Sequence, residues 1–157
     1  MKLLAKKIVK ILTKKKLIIS FAESCTGGLV SSAITAINGS SKVFTLCLVV
    51  YSNKSKINVL KIPKNIIKKY GTVSAQVCLG MVKNISKIAN TNISLSVTGI
   101  AGPDGGTKKK PVGLVYVSVK KGNTIRTKKY FFKNKGRAYI RRETVNRSLK
   151  LILRTLK

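Results

Sequence analysis

The sequence predicts a single α/β domain, a three-layer α/β/α sandwich built on a mixed, mostly parallel sheet. Three observations carry this expectation. The 157 residues suffice for one core and fall short of two ordinary domains, so residues 1–157 read as one unit. Strand-sized apolar runs alternate with helical segments along most of the chain, the pattern of helices packed on both faces of a parallel sheet. One hairpin signal late in the chain interrupts that alternation and makes the sheet mixed.

The elements follow in order. Leu4, Ile8, Ile11 and Leu12 share one helical face with lysines opposite, which predicts a helix over Leu3 to about Lys15. Leu17 to Ala22 is a short buried strand, and Gly27 to Ile37 a helix ending near Gly39. Phe44 to Tyr51 is a second β-rich run, followed by the helix-starting pair Ser52 and Asn53. Pro63 and Gly71 bracket a short helix, with proline at the start and glycine at the end. Ser74 caps the next one, where Cys78, Met81, Ile85 and Ile88 are expected to line one face. Ile93 to Val97 is a third strand, running into the turn-rich Thr98–Gly106 loop. Val112 to Val119 and Thr124 to Phe132 are β runs joined at Lys120–Asn123. Val145, Leu149, Ile152 and Leu156 form the apolar stripe of a final helix.

Composition narrows the chemistry. A hydrophobic fraction of 44% is far from that of a disordered chain. With no His, every Ser-His-Asp or Cys-His triad and every His-ligated metal site is excluded. Cys25, Cys47 and Cys78 are odd in number and lack metal spacing, which argues against a disulfide framework and a zinc site and predicts a reducing, cytoplasmic home; no metal and no cofactor are expected. Lysines interrupt the apolar N-terminal stretch, so neither a signal peptide nor a membrane span is expected. The 33 basic residues face three acids, Glu23, Asp104 and Glu143, and only six of the basic residues are arginine. A net charge of +30 attracts polyanions. Lysines scattered beside many Asn and Ile, with no nucleic-acid-binding motif, favour compositional drift over a nucleic-acid partner.

Three polar or glycine-rich loops follow apparent strands, where α/β sheets place their ligands. In the first, Glu23-Ser-Cys-Thr-Gly-Gly28 sets Ser24 on a sharp turn with successive backbone N–H groups. That arrangement suits a nucleophile beside an oxyanion hole or a phosphate cradle, and equally a plain Ser/Thr helix cap with close-packing glycines. The second holds Tyr51 and Lys56. The third holds Gly99, Gly102, Gly105 and Gly106, which bring backbone close to a ligand or a neighbour.

Taken together, Ala22-Glu-Ser-Cys-Thr-Gly-Gly28, Gly39-Ser-Ser41, Tyr51-Ser-Asn-x-x-Lys56, Tyr70-Gly-Thr-Val-Ser74, Thr98 to Gly106 and Lys110-Pro-Val-Gly113 resemble the CinA carboxy-terminal domain family, in order and over nearly the whole chain. In its stand-alone form that family is nicotinamide-nucleotide amidase. The resemblance implies a five-stranded sheet and metal-free hydrolysis of nicotinamide mononucleotide to nicotinate mononucleotide and ammonia, in pyridine-nucleotide recycling. By position it makes Ser24 the nucleophile, Lys56 its general base and Tyr51 an aid to the proton relay. Ser–Lys is a recognised alternative to Ser–His. It places oxyanion or phosphate contacts on Cys25, Thr26, Gly27 and Gly28, and substrate contacts on Thr98, Gly99, Gly102, Gly105 and Gly106. The Gly136-Arg137-Ala-Tyr-Ile-Arg141 segment resembles the family's late arginine pattern, in which Arg137 or Arg141 holds the mononucleotide phosphate. A small-molecule substrate and a homo-oligomer are the expected partners. The alternative is a catalytically silent nucleotide-binding, competence-associated domain.

Overall fold

The computed structural model describes residues 1–157. In chain order the elements are α1 (Lys2–Lys14), β1 (Ile19–Glu23), α2 (Leu29–Thr35), a short 3₁₀ turn (Ser40–Lys42), β2 (Phe44–Val49), α3 (Asn53–Asn58), α4 (Lys64–Tyr70), α5 (Ala75–Ala89), β3 (Ile93–Gly99), β4 (Leu114–Lys121), β5 (Thr124–Phe131) and α6 (Arg137–Leu156). One five-stranded sheet runs in the order β2-β1-β3-β4-β5. β1 pairs parallel with both β2 and β3, whereas β4 pairs antiparallel with β3 and with β5. Four strands therefore point one way and β4 alone runs against them, because only the β3–β4 and β4–β5 links lack a crossover helix.

Strand alternation sorts the core into two layers. On β1, Phe21 joins the larger cluster with α1, α2 and α6, while Ala22 joins a smaller one with Met81 and Ile85 of α5. Helices thus cover both faces, as the alternating pattern predicts. Chain order places β1 between the strand that follows it and the strand that follows that one, so the crossovers depart in opposite directions beside it. This is the switch point at which open α/β sheets bind ligands.

Local departures have local causes. α2 begins two residues later than expected because Gly27 (φ +57°) and Gly28 (φ +92°) adopt left-handed conformations that cannot belong to the helix. It ends at Thr35, before the expected Ile37. β4 begins at Leu114 rather than Val112, since Gly113 bends at φ +95° against the Phe132 carbonyl, where a Cβ would stand 2.1 Å away. Ile88, expected on the buried face of α5, is 51% exposed; it lies in the last turn of the helix, which ends at Ala89, whereas Val77 on nearly the same side of the first turn is buried. No helix is long and apolar enough to cross a membrane.

Candidate active site

The carboxyl ends of β1, β2 and β3 lie at one edge of the sheet, and their loops meet there with the start of α6. They enclose a cavity of about 370 Å³ whose walls include Ser24, Cys25, Tyr51, Lys56, Thr98 and Arg137. That size falls within the range of small-molecule sites. Two larger surface grooves, of about 660 and 550 Å³, lie between α1 and α2 and beside α2 and α6, away from these residues.

At the centre stands Lys56, only 1% exposed. Ser52 caps α3 by accepting from the Ser55 N–H, which sets the helix so that Lys56 turns inward one turn later. Its Nζ lies 3.1 Å from Ser24 Oγ, 2.8 Å from the Val50 carbonyl and 2.9 Å from the Tyr51 carbonyl. As an ammonium it donates to all three. As a neutral amine it keeps two N–H groups for the carbonyls and turns its lone pair to Ser24. Burial lowers its pKa from 10.5 to about 8. The neighbouring Cys25 thiol opposes that shift only when ionised, and burial pushes that thiol up to about 12. At neutral pH Cys25 is therefore a protonated thiol, and the group hydrogen-bonded to the amine is the Ser24 hydroxyl.

Ser24 itself is held by the turn. Its N–H donates to the Val97 carbonyl at 3.1 Å and its carbonyl accepts from the Gly27 N–H at 3.0 Å. Fully buried Glu23 fills the start of α2, accepting from the N–H groups of Gly28 (2.9 Å), Val30 (3.2 Å) and Ser31 (2.8 Å). This decides between two readings of the motif. The helix N-terminus is no phosphate cradle, because a carboxylate of the chain already occupies it. The Gly27 and Gly28 amides are likewise engaged, which leaves Cys25 and Thr26 as the residues of the turn whose N–H groups have no acceptor in another residue; of the two only Cys25 lines the cavity, Thr26 being wholly buried.

Other expected residues separate. Tyr51 contributes its carbonyl to Lys56, while its hydroxyl sits 2.6 Å from Arg137 Nη2 and bonds to neither Ser24 nor Lys56. Arg137 also donates to the Gly102 carbonyl at 2.9 Å and lines the cavity. Arg141 is absent from the lining and donates to the Thr26 carbonyl at 2.8 Å. Thr98, Gly99, Gly102 and Gly105 line the cavity; Gly106 does not, its backbone pressed against Val112, which a Cβ would meet at 3.0 Å. Thr98 Oγ1 donates to the Thr72 carbonyl at 3.0 Å, fixing the wall between α4 and α5. Lys110, hidden among so many lysines that only its motif marked it, donates to the Tyr70 carbonyl and, at 2.8 Å, to that of Val73.

Known proteins identify the family and the fold. The family model for the CinA C-terminal domain matches residues 1–156. The chain belongs to the CinA C-terminal domain family. A putative competence-damage inducible protein of Thermoanaerobacter sp. (strain X514) is 45% identical over 149 residues, covering 95% of this chain and 36% of that protein. A CinA-like protein of Prochlorococcus marinus subsp. pastoris is 46% identical over 151 residues, covering 93% and 35%. This CinA domain thus spans about a third of the curated relatives it matches. The crystal structure of the competence/damage inducible protein CihA from Agrobacterium tumefaciens superposes with a TM-score of 0.95 at 38% identity, over 99% of this chain and 94% of that one.

Proposed function

We propose that this CinA domain is a serine amidohydrolase that converts nicotinamide mononucleotide to nicotinate mononucleotide and ammonia. The observation that supports it best is the Lys56 amine, buried and held by two carbonyls with its third valence toward Ser24. Lys56 takes the Ser24 proton as Oγ attacks the carboxamide carbon. The resulting oxyanion is stabilised by the Cys25 N–H at the cavity wall, which adds a charge-assisted hydrogen bond where negative charge develops. Lys56 then delivers its proton to the departing nitrogen. Ammonia leaves, an acyl ester remains on Ser24, and water activated by the same amine releases the acid. Arg137, with Nη2 on Tyr51 and Nη1 on Gly102, presents a fixed cation to the cavity for the phosphate of the mononucleotide. In this reading the phenol of Tyr51 orients Arg137, and its carbonyl orients Lys56.

The test is ammonia release from nicotinamide mononucleotide by purified protein, with Ser24→Ala as the control. Release that vanishes in Ser24→Ala supports the assignment. A variant that hydrolyses as fast as the wild type contradicts it. If the wild type binds the mononucleotide and releases no ammonia, the silent nucleotide-binding reading stands instead.

A further inference from the structure

Arg137 and Arg141 stand one helical turn apart on α6 and meet different parts of the molecule. Arg137 faces the cavity, whereas Arg141 reaches the turn that carries Ser24. The peptide joining Thr26 to Gly27 is one rigid plane. Arg141 Nη2 holds its carbonyl at 2.8 Å, and the Ser24 carbonyl holds its N–H at 3.0 Å, so the plane is gripped on both sides. A Cβ on Gly27 would lie 3.3 Å from the same Arg141 nitrogen. Arg141 Nε is buried without an acceptor, as is Thr26 Oγ1. Burying an unpaired donor is unfavourable, so an arginine here is poorly suited to stability alone. At the far end of the turn, Glu23 ties β1 to the Gly28 N–H with a carboxylate that is also wholly buried.

We propose that Arg141 and Glu23 are positioning residues that clamp the Ser24–Gly28 turn at two points and so hold the Cys25 N–H, at the cavity wall, in place for the oxyanion. This rests on the amidohydrolase reading for its substrate, though not for its geometry. Arg141 thereby acts through Thr26 and not on the phosphate, which leaves Arg137 as the arginine that meets the ligand.

The experiment compares Arg141→Met, Arg141→Lys, Glu23→Gln and Arg137→Met by two readouts. One is steady-state ammonia release from nicotinamide mononucleotide. The other is the rate at which a small alkyl phosphonofluoridate modifies Ser24, a step in which Oγ forms the bond to phosphorus, fluoride departs and the P=O oxygen takes the oxyanion position. Arg141→Met is expected to lower kcat about 10- to 100-fold with KM little changed, and to slow Ser24 modification by a similar factor. Glu23→Gln moves both readouts in the same direction, and Arg141→Lys recovers part of the loss. Arg137→Met raises KM more than it lowers kcat. Should Arg141→Met melt below the assay temperature, Arg141→Lys, which keeps the charge and loses the fork, reads the same split. Wild-type kcat and modification rate in the Arg141 variants would overturn the proposal, as would a raised KM with unchanged modification. If the wild type releases no ammonia while the Arg141 variants still slow Ser24 modification, the clamp stands and the amidase reading falls.

Discussion

The turn after β1 and the loop after β3 are both rich in glycine and both end on one cavity, yet glycine does different work in each. In the first, the left-handed Gly27 and Gly28 bend the chain so that Ser24 meets Lys56 and Glu23 reaches the start of α2. In the second, Gly99 and Gly106 let the loop lie flat on neighbours: a Cβ at Gly99 would stand 2.6 Å from Val115 Cγ2, and one at Gly106 would stand 3.0 Å from Val112. One turn brings Ser24 to Lys56, and the other packs a loop against its neighbours. A glycine-rich loop at the end of a strand is therefore a place to look, and the hydrogen bonds within it decide what it does.

The comparison breaks most visibly at Ser24. Ser24→Ala should lower kcat for amide hydrolysis by roughly four to six orders of magnitude while leaving mononucleotide binding intact, measured by ammonia release and by calorimetric titration. Gly27→Ala comes next. Its φ of +57° strains any side chain and its Cβ would press on Arg141, so kcat should fall about 10- to 100-fold alongside a lower Tm. Gly106→Ala, behind the cavity lining, should cost about 1 kcal/mol of stability by thermal melting and leave KM and kcat of the folded protein near wild type. If Gly106→Ala instead damages kcat as Gly27→Ala does, the division between the two loops is wrong.

Two smaller effects sharpen the same division. Lys56 titrates near 8 in the fold against 10.5 unfolded, so the unfolded chain binds more protons between those values and this lysine's contribution to stability rises with pH there. Wild type should therefore gain stability relative to Lys56→Met as pH rises from about 8 to 10.5, read from Tm at each pH. Prolonged incubation with a chelator should leave ammonia release unchanged, since no three Cys, Asp or Glu side chains gather where they could hold a metal ion.

Much of this was legible in the sequence, and what was not has identifiable causes. Amphipathic spacing located α1, α5 and α6, and capping residues located α3 and α4, because periodicity and caps are local. Ile88 escaped because it lies in the last turn of α5, and periodicity alone does not show how far along a helix its packing partners extend. The Ser24–Lys56 pairing was legible through motif order, yet spacing cannot say which atom of a residue does the work. Tyr51 shows this, since its carbonyl serves Lys56 while its hydroxyl serves Arg137. Glu23 was visible as one of three acids, but its capping role needed the left-handed glycines that bring the start of α2 back over β1. Arg137 and Arg141 share a helical face, so only the tertiary contacts separate cavity from turn.

The central claim is that Lys56 works as a neutral amine and not merely as a positive charge. It is tested by the pH dependence of kcat/KM for Lys56→Arg beside wild type, Lys56→Ala and the exposed control Lys54→Arg. Guanidinium keeps the charge and stays protonated, so it cannot accept the Ser24 proton. Wild type should show a rising limb centred near pH 8, Lys54→Arg should match it, and Lys56→Arg should fall nearly as far as Lys56→Ala at every pH. Most of the activity surviving in Lys56→Arg, with the rising limb intact, would contradict the account.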